Sequence, residues 1–326
     1  MPFRRLLAGL LLFLGLGTPL ATAQAQSAWP NRPVRFVVPL PPGGASDLMA
    51  RMIAAHLAEA LGQPFVVDNR PGAGGTLGTA FVANAPPDGY TLMMGNTATH
   101  INAPLLFPNA GYDGLTDFAP VAPFATITNI VVVHPSLPVS SIPDLIAHAR
   151  ANPGRINFGS AGAGGTIHLA GELFKMRTGV DIVHVPYRGG AAMIADLVAG
   201  QVQLAFDNFP QIIPHVRSGA VRAIAVTSAQ RWPLAPDLPT VQEAGVPDFD
   251  ITAWFGTMAP ARTPPAIVQR MNAILRRYAA DPALAARLAE LGAFPMSMDT
   301  MQFADFMQAE RARYAEIIRV SGAKVD

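Results

Sequence analysis

Two hydrophobic periods take turns along this chain. Val34-Arg35-Phe36-Val37-Val38 is a β-branched and aromatic run of strand type. Apolar residues then recur at Leu48, Met49, Met52, Ile53, Leu57, Ala60 and Leu61, close to the i, i+3/i+4, i+7 spacing of one helix face, and Gly62 ends the pattern. Phe65-Val66-Val67 reads as the next strand, followed by a glycine-rich turn over 68–76. A short helix over 77–84, a break at Pro86-Pro87-Asp88-Gly89 and a strand over 90–95 complete the unit. This is the βαβαβ grammar of a parallel sheet.

Residues 102–123 read as turn-rich and irregular. A strand over 130–133 opens a second unit, with Ser141 as a helix cap and Pro143 near the helix start. Strand 156–159, a second glycine-rich turn over 160–166 and a helix over 168–178 follow. Strand 182–185, helix 193–198 and strands 202–207 and 221–227 finish that unit. Beyond a proline-rich passage over 228–247 come a strand at 251–258 and two amphipathic helical faces. One carries Ile267, Val268, Met271, Leu275 and Tyr278, the other Phe303, Phe306, Met307, Tyr314 and Ile317. They read as packing layers.

The junction Pro39-Leu40-Pro41-Pro42-Gly43-Gly44-Ala45-Ser46-Asp47-Leu48 is where strand becomes helix with almost no bulky side chain. Two glycines let a ligand approach the main chain. Ser46 or Asp47 is the expected helix cap. Such a turn points free N–H groups and the positive helix end at whatever lies above it. An ordinary tight βα turn explains these residues equally well. Ser160 to Thr166 is its expected counterpart, because it also follows a strand and opens directly into a long helix. Gly-Ala-Gly-Gly-Thr occurs at both 72–76 and 162–166, but the flanking residues do not match, so no repeat fold is implied.

Residues 1–25 are set aside from the fold. Arg4 and Arg5 precede an apolar run from Leu6 to Leu16, with small-residue cleavage sites ending at Ala23 and Ala25. This is the pattern of a secretory signal peptide. The remainder is long enough for two domains at roughly 100–200 residues each. It has 0 cysteines, which removes disulfides and thiolate metal sites. The formal charge of +1 becomes −1 once the two leader arginines are removed. A near-neutral chain with no basic stripe argues against a nucleic-acid partner.

Familiar catalytic motifs fail. No Gly-x-Gly-x-x-Gly, Walker lysine or Gly-x-Ser-x-Gly is present at the glycine turns, which disfavours dinucleotides, nucleoside triphosphates and serine hydrolysis. His168 and Glu172 stand four apart with His184 on a nearby strand, yet without the paired spacing of a zinc site. A capping or hydrogen-bonding role accounts for His168. Asp47 and Asp207 lie near strand ends, where a cap or turn explains them as well as ligand contact does. No metal and no cofactor are expected. Two helix ends contribute about 0.3–1 kcal/mol each, or roughly 2 when partly buried. Backbone bonds to a charged acceptor add about 1.5–3 kcal/mol each before desolvation. Micromolar binding needs only about 8 kcal/mol, within reach of a cleft built from backbone.

The chain resembles the Bug receptors, periplasmic substrate-binding proteins linked to tripartite tricarboxylate transporters. The resemblance rests on Val38-Pro39 before Pro42-Gly43-Gly44, Asp47 with Ala50-Arg51, and Asn69-Arg70-Pro71-Gly72-Ala73-Gly74-Gly75. It continues through Pro87-Asp88-Gly89-Tyr90-Thr91-Leu92, Asn157-Phe158-Gly159-Ser160, His168-Leu169-Ala170 with Glu172-Leu173-Phe174, and His184-Val185-Pro186-Tyr187. It implies an α/β, two-domain Venus-flytrap fold, each domain a mainly parallel sheet flanked by helices. Domain 1 would comprise 26–127 and 250–326, and domain 2 residues 128–249. It further implies a carboxylate held in the interdomain cleft by main-chain N–H groups and ordered waters. Here those duties would fall on Gly43, Gly44, Ala45, Ser46 and Asp47, and on Ser160, Gly162, Ala163, Gly164, Gly165 and Thr166. Asn96, His168 and Asp207 are added as further candidates.

Leu40 departs from the family's frequent aromatic residue, and Ala192 from a common proline. The expected protein is a periplasmic, monomeric, non-enzymatic receptor for a dicarboxylate, amino acid or aromatic acid, presented to membrane permease subunits. Two other readings stay open: an orphan receptor feeding a signalling protein, and an exported hydrolase using Ser160 with His168.

Overall fold

A computed structural model of the protein describes residues 29–107 and 109–322, so the expected leader over 1–25 lies outside the described residues. The chain begins β1 (Val34–Val38), α1 (Ala45–Leu61), β2 (Phe65–Asn69), α2 (Thr76–Ala83) and β3 (Thr91–Asn96). A widened helical turn (Thr97–Asn102) and a single turn of helix, α3 (Ala103–Leu106), follow. The long strand β4 (Phe118–Val133) leads into α4 (Ile142–Ala151), β5 (Asn157–Ser160), α5 (Thr166–Thr178) and β6 (Val183–Pro186). Next come α6 (Gly190–Val198), β7 (Leu204–Asn208), α7 (Phe209–Arg217) and β8 (Arg222–Val226). The chain returns through β9 (Thr252–Pro260), α8 (Pro265–Ala279), α9 (Pro282–Glu290), β10 (Ala293–Pro295) and α10 (Thr300–Ser321).

The strands among the described residues form one sheet in the order β2-β1-β3-β9-β4-β7-β5-β6, with β8 and β10 also paired to β4. Its two wings, β2-β1-β3 and β7-β5-β6, are parallel. Between them β9 runs antiparallel to β3 and β4, while β7, β8 and β10 run antiparallel to β4. Strand β4 joins the wings. It pairs with β9 from Phe118 to Thr128 and from Asn129 onward with β7 and β8.

The sequence pattern marks 102–123 as irregular and starts this strand only at 130. The structure corrects both expectations. Pro120 and Pro123 sit beside shifts in the β4–β9 register, where a residue without an N–H is tolerated. Helix α7 was hidden in a similar way, since Pro210 lies in its first turn and Pro214 inside it.

Alternating side chains divide the core by sheet face. Val37 and Met93 share one cluster with Val131, Leu204 and Phe206, so this face is continuous from wing to wing. Phe303, Met307, Tyr314 and Ile317 of α10 cover it, and the Tyr314 hydroxyl donates to the Thr252 carbonyl at 2.8 Å. A capping box between Asp299 and Gln302 starts that helix. The opposite face carries two separate clusters. One lies under α1, α8 and α9, around Phe36, Ile53 and Leu275. The other lies under α6 and α7, around Ile130, Met193 and Ile212. No described helix is long and apolar enough to cross a membrane.

Candidate functional site

The two glycine turns have the same local construction. In the first, Gly43 has φ 86° and Gly44 is extended at φ −81°, ψ 174° before α1 begins. In the second, Gly164 has φ 84° and Gly165 is extended at φ −75°, ψ 169° before α5 begins. Positive φ at the leading glycine explains why both turns need that residue there. In each, the side chain four residues on reaches back to the leading glycine. Asp47 Oδ2 accepts the Gly43 N–H at 3.0 Å, and His168 Nδ1 accepts the Gly164 N–H at 3.0 Å. Neither Ser46 nor Asp47 is therefore the expected cap. Gly44 holds that position without a side-chain bond.

Consequently the first amides of both helices stay free. Among the described residues no acceptor takes the N–H groups of Ala45 and Ser46, or those of Thr166 and Ile167. Both sets border one cavity of ≈ 630 Å³. Asn96 braces the first set, donating from Nδ2 to Ser46 Oγ at 3.1 Å while its Oδ1 accepts the Thr99 N–H at 2.9 Å. The Ser46 hydroxyl proton thus remains available to a ligand. Leu40, Phe107, Ile167 and Phe255 supply apolar wall.

Of the residues anticipated from sequence, Gly43, Gly44, Ala45, Ser46, Asn96, Gly162, Ala163, Gly164, Gly165 and Thr166 line this cavity. Asp47, Ser160, His168 and Asp207 do not; the first three support the turns from behind. Asp47 accepts Arg51 Nε at 3.0 Å, Arg51 Nη2 at 3.1 Å and Asn69 Nδ2 at 3.0 Å. Burial pushes its carboxyl up, but the bonds from Arg51, Gly43 and Asn69 outweigh that and hold it below the usual value.

Ser160 pairs with His184 (Oγ to Nε2, 2.7 Å), not with His168. Its Oγ also lies 3.0 Å from the Gly162 carbonyl, and the side chain is fully buried. The His168 and His184 rings stack at 4.0 Å and 18°. Burial is the first cause that lowers both to about 4, and the nearby Lys175 lowers each further.

Asp207 is buried at the end of β7. Its Oδ1 accepts the Asn208 N–H at 2.8 Å, and its Oδ2 has no partner. Burial raises its carboxyl to about 7 against the opposing Asn208 bond. Among the described residues no group of three His, Cys, Asp or Glu side chains is placed to hold a metal ion.

Sequence reasoning missed a third glycine turn. Arg188, Gly189 and Gly190 line the cavity, with Gly189 at φ 117° capping α6, together with Asn208 and Gln211. The signal was present as Tyr187-Arg188-Gly189-Gly190 after a strand. Starting the helix at 193 rather than at Gly190 concealed it. Arg188 is the one charged side chain on the described lining, and no acidic side chain joins it.

Comparison with known proteins identifies relatives of the whole chain. Residues 49–323 match the family model of the tripartite tricarboxylate transporter family receptor. Protein BugT of Bordetella pertussis (strain Tohama I) is 37% identical over 326 residues, spanning 100% of both chains. Rpa4515 of R. palustris, solved with adipate, superposes with a TM-score of 0.85 at 41% identity, covering 91% of this chain and 100% of that one. MatC (Rpa3494) from Rhodopseudomonas palustris, solved with bound malate, gives 0.80 at 34% identity, covering 89% and 99%. With most of its length matched at this similarity, the chain belongs to the tripartite tricarboxylate transporter receptor family, the Bug-type solute-binding proteins.

Proposed function

We propose that this protein is an exported receptor that captures a small organic carboxylate between two bodies and presents it to a tripartite permease. The observation that carries the reading is the pair of matching glycine turns. Each leaves helix-start amides free toward one cavity that has, among the described residues, an arginine as its one charged lining side chain. Amides of this kind suit a carboxylate group. The adipate and malate seen in two relatives belong to the same chemical class.

The bodies are taken as 26–127 with 250–326, and 128–249. The change of β4 from β9 to β7 and β8 at Asn129 supports that division. Gly43 to Ser46 would hold the acid from one body, and Gly162 to Thr166 from the other. Asp47 and His168 fix the turns without touching ligand. Differential contacts in the closed form would shift the population toward a shape that a permease recognises. Cleavage of a leader near Ala23 or Ala25 would deliver the chain to the periplasm. No catalytic step is assigned: Ser160 is fully buried, does not line the cavity and pairs with His184 rather than His168.

Thermal-shift screening of the purified protein against organic acids and neutral sugars tests the reading. Acids are expected to raise the melting temperature; stabilisation by sugars alone would overturn it. Native mass spectrometry of protein purified without refolding would show a co-purified acid directly.

A further inference from the structure

We infer that Arg188 is the residue that decides between acids with one and with two carboxylates, by pairing with the second carboxylate of a ligand whose first sits on the free helix-start amides. The inference rests on the carboxylate reading of the cavity. Its carrying observation is the distribution of charge and polarity over the lining. The amides of Ala45, Ser46, Thr166 and Ile167 need no charged side chain to hold one carboxylate, so Arg188 is redundant for a simple monoacid. Arg188 is exposed, and among the described residues it has no ion-pair or hydrogen-bond partner. It follows β6 at the start of α6, next to Gly189 and Gly190, and the Tyr187 N–H before it donates to the Ser160 carbonyl at 2.9 Å, so the segment borders the second glycine turn.

Leu40, Phe107, Ile167 and Phe255 give the cavity an apolar wall. A methylene spacer fits that wall, whereas a ligand ammonium would find no carboxylate among the described lining residues. Asp47 is committed to Gly43, Arg51 and Asn69, and Asp207 lies outside the cavity. An α,ω-diacid matches both the spacer and the charge at each end. A neutral amino acid lacks the second acid and adds an ammonium.

Isothermal titration of the mature protein with adipate and with hexanoate separates the roles. The wild type is expected to bind adipate at least about tenfold more tightly, the low end for a charge-assisted bond at an exposed arginine. Arg188→Gln should weaken adipate by about that factor and hexanoate by less than about threefold, and Arg188→Lys should recover part of the preference. Because the pair is exposed, the adipate preference should also shrink as NaCl rises from 0.01 to 1 M, as Debye screening tightens from about 30 to 3 Å. Equal affinity of the wild type for the two acids, or equal loss of both in Arg188→Gln, would overturn the inference while leaving the carboxylate reading intact. Binding of neither acid alongside tight binding of a neutral solute would overturn both.

Discussion

Asn102 Nδ2 donates to the carbonyl of Gly164 at 2.9 Å, reaching from the turn after β3 to the glycine turn before α5. Both polar backbone atoms of Gly164 are thereby held, its N–H by His168 on its own helix and its carbonyl by Asn102. In the proposed division into two bodies this bond would cross between them, and a conformation that separates them would break it. Removing it should therefore cost binding. Asn102→Ala is expected to raise the Kd for adipate about 3–10-fold, the worth of one neutral hydrogen bond. Titration calorimetry measures this, with circular dichroism checking the fold, because Asn102 is itself buried. An unchanged Kd would mean that the bond forms equally well without ligand.

Backbone conformation, rather than side-chain space, should decide substitutions in the first turn. A Cβ on Gly43 would meet nothing within 4 Å, yet φ there is 86°. A Cβ on Gly44 approaches only the Pro41 carbonyl, at 4.0 Å, with φ at −81°. Gly43→Ala is thus expected to destabilise the protein by about 1–2 kcal/mol. Gly44→Ala should stay within about 0.5 kcal/mol. Urea denaturation of the two variants distinguishes conformational strain from crowding.

The contrast between those glycines also shows what could be read from sequence. Spacing placed both glycine turns between a strand and a helix, and nine of the ten anticipated lining residues lie in those turns, while Asn96 came only with the family resemblance. It could not assign work inside a turn. Ser46 and Asp47 have good capping chemistry, but positive φ at Gly43 swings its N–H onto Asp47 and leaves Gly44 as the cap. Arg188 was passed over because glycine at 189 and 190 weakened the helical pattern at its start. Asp207 sits one residue from Asn208 on a strand with both faces covered. Hydrophobic periodicity cannot tell which of such neighbours meets the cavity.

The second turn should be acid-sensitive. His168 Nδ1 can accept the Gly164 N–H only when it is unprotonated. Its pKa is lowered from about 6.5 to about 4, so between those values the unfolded chain binds more protons than the folded one. The corresponding stability is complete above about pH 6.5 and is lost as pH falls toward 4. His168→Asn keeps a short acceptor at the position that Asp47 occupies in the first turn, without the titration. Melting temperatures measured from pH 7.5 to 4 should fall more steeply for the wild type than for this variant. Parallel curves would show that the ring does not titrate with folding.

Asp207 should act in the opposite sense. Its folded pKa is raised from 3.8 to about 7 by burial, so the folded chain holds a proton that the unfolded chain has released. That contribution is complete below about pH 3.8 and disappears as pH rises through about 7, where a charge forms at an Oδ2 with no partner. Asp207→Asn removes the charge and keeps the shape, and its Oδ1 can still accept the Asn208 N–H. The melting temperature of the variant is expected to gain on the wild type as pH goes from 5 to 8. Binding should move with it, because Asn208 lines the cavity and a carboxylate one residue away repels an anionic ligand. The variant should therefore bind adipate more tightly than the wild type at pH 8, with the gap narrowing at pH 5. Calorimetry at both values tests this, and a gap that widens toward acid would contradict the sign.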